Sequence, residues 1–122
     1  MGIIKPSYDE NRQMLGEIYP LDTPFNVIID SSEVCNFKCN YCFRSTENKG
    51  NWGYASCNKN MEWDLFVKIV DQIKEFPNKV KQISLSNHGE PLCNRRLPDM
   101  VRYIKKEPRK NPLRISTILV KE

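Results

Sequence analysis

The sequence predicts an α/β fold, a parallel sheet with crossover helices. Two observations carry this. Short apolar runs of strand length alternate with longer stretches in which apolar residues recur every three or four positions. Pro, Asn, Gly and Ser residues collect between these stretches, where turns are needed. The resulting order is strand, helix, strand, helix, strand. Such alternation implies parallel strands joined by right-handed crossovers.

The elements follow in order. Residues 1–20 are polar and irregular, with a short helix expected between Asp9 and Tyr19. Pro20 and Pro24 bracket an entry turn. Phe25 to Asp30 reads as the first strand: Phe25, Val27 and Ile29 alternate, and Ile28 fills the other face, as in a strand buried on both sides. Residues 44–60 read as a loop rich in Asn, Gly and Ser, with Asn60 as helix N-cap. Glu62 and Asp64 suit the positive end of the helix dipole. Phe66, Ile69, Val70, Ile73 and Phe76 form one apolar face, and Pro77 closes the helix. Val80 to Ser86 is the second strand. Pro98 suits the first turn of a second helix with Met100, Val101 and Ile104 inward, ended by Pro108 and Pro112. Leu113 to Val120 is the third strand.

Composition narrows the class. A chain of 122 residues holds one domain at most. Its 39% hydrophobic and 28% charged residues suit a globular chain rather than a disordered or membrane one. No apolar run approaches bilayer length, and Met1 to Glu10 lacks a signal-peptide core, so a cytoplasmic location with no membrane partner is expected. The net charge of +4 is uneven: Arg95 to Arg114 carries eight basic residues against Asp99 and Glu107. Such a patch can attract nucleic acid, an acidic peptide or an acidic redox partner, but a solvated helix face is the preferred reading.

The most specific feature is a cysteine triplet, Cys35-Asn36-Phe37-Lys38-Cys39-Asn40-Tyr41-Cys42. Five cysteines, three of them crowded, make a poor disulfide framework and a good metal site in a reducing compartment. Structural zinc takes four ligands, and an ordinary [4Fe–4S] cluster one thiolate per iron. Three thiolates can therefore hold a cubane while one iron stays open. The second motif, His88-Gly89-Glu90-Pro91-Leu92, leaves the carboxyl end of the second strand, as the cysteine loop leaves that of the first. Ligands of parallel α/β structures bind at those ends. Gly89 permits close backbone approach, Glu90 offers a carboxylate to an ammonium group, and Pro91 stiffens the turn.

The spacing C-x3-C-x-aromatic-C resembles the cluster loop of the radical S-adenosylmethionine (SAM) superfamily. The Gly89-Glu90-Pro91 turn resembles that family's "GGEP" segment, with His88 in place of the first glycine. Ile115-Ser116-Thr117 matches the end of the family's third strand, although relatives usually continue with Asn-Gly and this chain with Ile118-Leu119-Val120. The resemblance covers roughly residues 24–117. It implies that Cys35, Cys39 and Cys42 hold three irons of a [4Fe–4S] cluster and that SAM chelates the fourth. One electron would then cleave SAM to methionine and a 5′-deoxyadenosyl radical, which takes a hydrogen atom from a substrate. Tyr41, His88, Gly89, Glu90, Pro91 and Ser116 become the expected SAM contacts. Tyr41 has ordinary core packing as its alternative, and Phe43 is read as core. His88, the one histidine, is read as a turn or pocket residue rather than a base. Cys93 is read as packing and Cys57 as incidental, since neither has tight ligand spacing.

The family fold is a partial barrel of about six strand–helix units. Three strands imply the N-terminal half of a partial (β/α)6 TIM-like barrel, with residues 1–23 as a leader and 24–122 as a truncated core domain. The downstream barrel half is then a missing partner. The resemblance also implies an electron donor such as a flavodoxin or ferredoxin. The substrate stays open, with a peptide or small molecule preferred over nucleic acid. A non-catalytic zinc or iron–sulfur module completed by Cys57 or Cys93 is the competing reading, and an inactive fragment is a third.

Overall fold

The computed structural model describes residues 14–40, 42, 58–106 and 112–117. Its elements are α1 (Leu15–Ile18), β1 (Asn26–Ile28), α2 (Trp63–Lys74), β2 (Gln82–Ser84), a 3-10 turn (Pro91–Cys93), α3 (Leu97–Lys105) and β3 (Leu113–Arg114). The strands form one parallel sheet in the order β1-β2-β3. Val27 pairs with Ile83, and Ile83 with Leu113. The expected α/β architecture is therefore present, with α2 and α3 as the crossovers.

The hydrophobic pattern explains the packing. Phe66, Val70 and Ile73 recur on one face of α2 and are buried, as are Leu97, Met100 and Ile104 on α3. They meet Ile29, Val80, Ile83 and Leu85 from the sheet. Phe66 is fully buried, which contributes about 1.5–3 kcal/mol of apolar transfer. Val101 is half-buried rather than inward.

Three expectations need correction. The strands are shorter than their apolar runs, because only the residues that pair with a neighbour join the ladder. Ile28 is not buried: it is 62% exposed, because no described element covers the sheet face opposite the helices. Asn60 does not cap α2. Glu62 occupies that position in extended backbone, without a side-chain cap. Asn60 lies too far back along the extended lead-in, and its amide is used elsewhere, as described below.

An exposed cluster fastens α2 to α3. The Tyr103 hydroxyl donates to Asp71 Oδ1 at 2.9 Å, and Lys74 Nζ donates to the same oxygen at 2.6 Å. The Tyr103 ring sits edge-on to Trp63 and Phe66. These donors, Lys74 first, hold the Asp71 carboxyl below its ordinary value of about 3.8. The bond to Asp71 pushes the Tyr103 phenol up. Because the carboxyl is depressed in the folded state, its contribution is present above the unfolded value and lost as pH falls through the folded one. Tyr103→Phe should lower Tm only slightly, since the ring contacts remain and the pair is exposed. The Asp71 titration should move up toward the ordinary range, with Lys74 still holding it partly down. Carboxyl NMR during an acid titration checks this, and an unmoved Asp71 would refute it.

Candidate functional site

β1, β2 and β3 each end in a polar loop at the carboxyl side of the sheet. The first two loops touch through their backbones: Glu90 N–H donates to Val34 O at 2.9 Å. A Cβ added to Gly89 would lie 2.0 Å from Ser32 O, 2.7 Å from Ser32 C and 2.9 Å from Val34 O. Glycine is therefore required at position 89, and the close approach is to the chain's own cysteine-bearing loop. Sequence reasoning assigned that approach to a ligand.

Side chains brace the same junction. Ser31 Oγ donates to Leu85 O at 2.7 Å, joining the ends of β1 and β2. Asn94 Nδ2 donates to Ser31 O at 2.7 Å, and Asn94 Oδ1 accepts from Arg96 N–H at 2.9 Å, which fixes the start of α3. Ser32 Oγ donates to Asn60 Oδ1 at 2.7 Å, while Asn60 Nδ2 donates to Cys93 O at 3.2 Å. Ser31, Ser32 and Asn94 are buried, and their bonds satisfy groups whose burial would otherwise be costly. Sequence reasoning missed Ser31, Ser32 and Asn94, and read Asn60 only as a helix cap. The available signal was the run Asp30-Ser31-Ser32, small polar residues directly after an apolar strand.

Glu90 is 6% exposed. Its Oε1 accepts from Leu92 N–H at 3.1 Å and from the Thr117 hydroxyl. The expected ammonium acceptor thus also caps its own turn and reaches the third loop. A carboxylate has about four acceptor positions in all. Pro91 is buried and opens the 3-10 turn. Ser116 is exposed and is placed by its N–H donating to Ser86 Oγ at 3.0 Å. His88 is anchored to Asp30: its N–H donates to Asp30 Oδ1 at 3.1 Å, and its Nδ1 lies 2.6 Å from Asp30 Oδ2.

Cys35, Cys39 and Cys42 lie on the loop after β1, each half-buried and none in a disulfide. Cys42 N–H donates to Cys39 O at 3.0 Å, so a tight turn brings these two residues together. Tyr41, Phe43 and Cys57 lie outside the described residues. Cys93 is half-buried, with its Sγ 3.6 Å from Asn36 Oδ1 in the cysteine loop. Among the described residues, no three His, Cys, Asp or Glu side chains converge at metal-binding distance. The donor chemistry nevertheless fits an iron–sulfur cluster, because three solvent-reachable thiols on one short loop are the ligand type such clusters use.

No helix among the described residues is long and apolar enough to cross a membrane. The fold is similar to the crystal structure of BtrN in complex with AdoMet and 2-DOIA. The TM-score is 0.62 at 21% identity, covering 77% of this chain and 35% of that one. In sequence, the chain is 40% identical over 72 residues to the tungsten-containing aldehyde ferredoxin oxidoreductase cofactor-modifying protein of Pyrococcus furiosus. That match covers 59% of this chain and 18% of the relative. It is 38% identical over 73 residues to a probable GTP 3′,8-cyclase of Methanococcus maripaludis, covering 60% of this chain and 22% of that protein. The chain thus spans about a fifth of the length of these relatives. The Radical SAM superfamily model matches residues 29–121, which contain the cysteine triplet, the Gly89-Glu90-Pro91 turn and the three-strand sheet, and the chain belongs to that superfamily.

Proposed function

We infer that this chain is the cluster- and SAM-binding part of a radical SAM enzyme. Cys35, Cys39 and Cys42 would hold a [4Fe–4S] cluster, and the turn from His88 to Pro91 would take the methionyl ammonium group of SAM. The observation that carries this reading is the backbone contact between the two loops, Glu90 N–H to Val34 O at 2.9 Å. It sets the thiols and the Glu90 carboxylate on one rim. Bound there, the cluster and SAM supply one-electron cleavage of the carbon–sulfur bond and a 5′-deoxyadenosyl radical. The chain's own residues bind and orient. Glu90 offers its carboxylate to the amino group of SAM, Gly89 keeps the loops in register, and Pro91 stiffens the turn.

The remaining terms of the proposal rest on the family. An electron donor such as a flavodoxin or ferredoxin supplies the reducing equivalent, and a reducing cytoplasm suits the thiolates. The substrate is a small molecule or peptide bound with help from further barrel strands. The two relatives carry different activities in their names, so neither substrate is transferred to this chain.

Anaerobic reconstitution followed by electron paramagnetic resonance tests the reading. The reduced cluster's signal should change when SAM is added, because SAM occupies the open iron. Glu90→Ala should weaken that response by about tenfold in SAM concentration, as a buried donor loses its charged acceptor. An unchanged spectrum at saturating SAM, in a folded and iron-loaded sample, would count against the reading.

A second reading has one observation in its favour. Cys93 lies against Asn36 of the cysteine loop. A fourth thiolate from there would make a closed zinc or electron-transfer centre. Metal analysis separates the two: one zinc per chain supports the closed centre, and about four irons with acid-labile sulfide and a SAM response support the open one.

A further inference from the structure

The sheet has two faces of opposite character. Val27, Ile83 and Leu113 pair across it and turn toward the helices, where Ile83 is buried and the other two pack against the core. Side chains alternate along a strand, so Asn26 and Ile28 of β1, Gln82 and Ser84 of β2 and Arg114 of β3 stand on the opposite face. Ile28 is the one apolar residue among them. Parallel strands covered on both sides read as continuous apolar runs, and barrel interiors are filled with Val, Ile and Leu. Here the second face is polar from β1 to β3, the pattern of a surface that meets water or a polar ligand.

The register sets a cation into this face. Ile28 pairs with Ser84, and Ser84 with Arg114, so the three form one row across the sheet. The next positions on the same side are Asp30, Ser86 and Ser116. This second row lies about 7 Å nearer the carboxyl ends of the strands. It is held in place: Asp30 Oδ1 accepts from His88 N–H at 3.1 Å, and Ser86 Oγ accepts from Ser116 N–H at 3.0 Å. The polar face therefore runs up to the rim where the cysteine loop and the Gly89-Glu90-Pro91 turn meet. Arg114 is exposed, and no carboxylate pairs with it among the described residues. Asp30, the other carboxylate of these rows, stands two strands away, about 10 Å across the sheet, and is engaged by His88. A guanidinium presents five N–H donors in a fixed fork that matches a carboxylate or a phosphate. The basic residues of α3 do not share this place. That helix packs on the other side of the sheet, and its Arg102 is paired with Asp99.

We propose that the polar sheet face is the substrate wall of the site, and that Arg114 binds an oxyanion of the substrate, a carboxylate or a phosphate group. This deepens the radical SAM reading and rests on it. An anion held by Arg114 lies one row below the rim, and the rest of the molecule extends toward the loops that carry the thiols and Glu90.

Titration of the full chain with inorganic phosphate and, separately, with acetate, at an ionic strength kept constant with chloride, tests the proposal. Nitrogen-15 NMR reads the arginine Nε–H groups and the backbone amides. The Arg114 Nε–H and the amides of Ser84, Ser86 and Ser116 should shift together and saturate, while the Nε–H groups of Arg95, Arg96 and Arg102 stay in place. Arg114→Gln, a change at an exposed position, should weaken the response of the three serines at least about tenfold, because a charge-assisted pair of hydrogen bonds is lost. Tighter binding of phosphate supports a phosphorylated substrate, and tighter binding of acetate a carboxylic acid. The proposal is overturned by the absence of a saturable shift at Arg114 with either anion, by equal shifts at all the arginines, or by serine shifts that survive Arg114→Gln. The measurement needs neither cluster nor SAM, so the two readings fail separately. A chain whose cluster responds to SAM but whose Arg114 ignores both anions refutes this inference alone. A chain that binds anions at Arg114 but whose loaded cluster ignores SAM refutes the radical SAM reading, and with it the role of Arg114 toward that substrate.

Discussion

Alanine at Cys35, Cys39 or Cys42 should strip the chain of most of its iron, from about four per chain to below about one. In the proposed arrangement these three thiolates hold the cluster, and a cubane with two would expose a second iron to water and oxygen. The SAM-dependent change in the resonance spectrum should vanish with the iron. Cys93→Ala provides the contrast. Its Sγ meets only the Asn36 side chain among the described contacts, at 3.6 Å, so iron should stay near the wild-type level. The cost there is roughly 1 kcal/mol of packing. Equal iron loss from Cys93→Ala and Cys39→Ala would show that the open-iron arrangement is wrong and that the centre has four ligands.

The second large effect is expected at Gly89. The clashing atoms are the carbonyls of Ser32 and Val34, which are backbone and cannot swing aside as a flexible side chain would. Gly89→Ala must therefore part the two loops. Parting them breaks the Glu90–Val34 hydrogen bond and disturbs the buried Ser31 and Ser32 contacts. A loss of about 3 kcal/mol or more follows, a large share of the 5–15 kcal/mol that a domain possesses. Thermal melting should show a fall on the order of 10 °C. Gly16→Ala serves as the matched control, because nothing lies within 4 Å of its added Cβ, and it should melt with the wild type. Equal melting of both variants would refute the close approach.

Much of this architecture was legible in the sequence because its causes are local. Helical periodicity from Phe66 to Ile73 and thiol spacing from Cys35 to Cys42 are written in neighbouring residues. The shared rim followed from one general rule about parallel strands. What escaped was long range. Asn60 reads as a cap because capping is a short-range habit, yet its amide serves Ser32 and Cys93. Ile28 reads as buried because its run is apolar, but only neighbouring layers decide whether a face is covered. Asp30 gave no signal, since its partner His88 is 58 positions away. Glu90 reads as a carboxylate in a turn, while its bond to Thr117 depended on where β3 ends.

The braces around the cysteine loop also fix an order of assembly during synthesis. Ser31 is tied to Leu85, 54 positions later, and to Asn94, 63 positions later. The three thiols thus leave the ribosome well before the residues that frame them. Until α3 emerges, they belong to a loop that lacks these long-range braces, open to oxidation or to capture of the wrong ion. Loading of the proposed cluster is then expected late in the life of the polypeptide, after the β2 loop and the start of α3 rather than when the cysteines themselves appear.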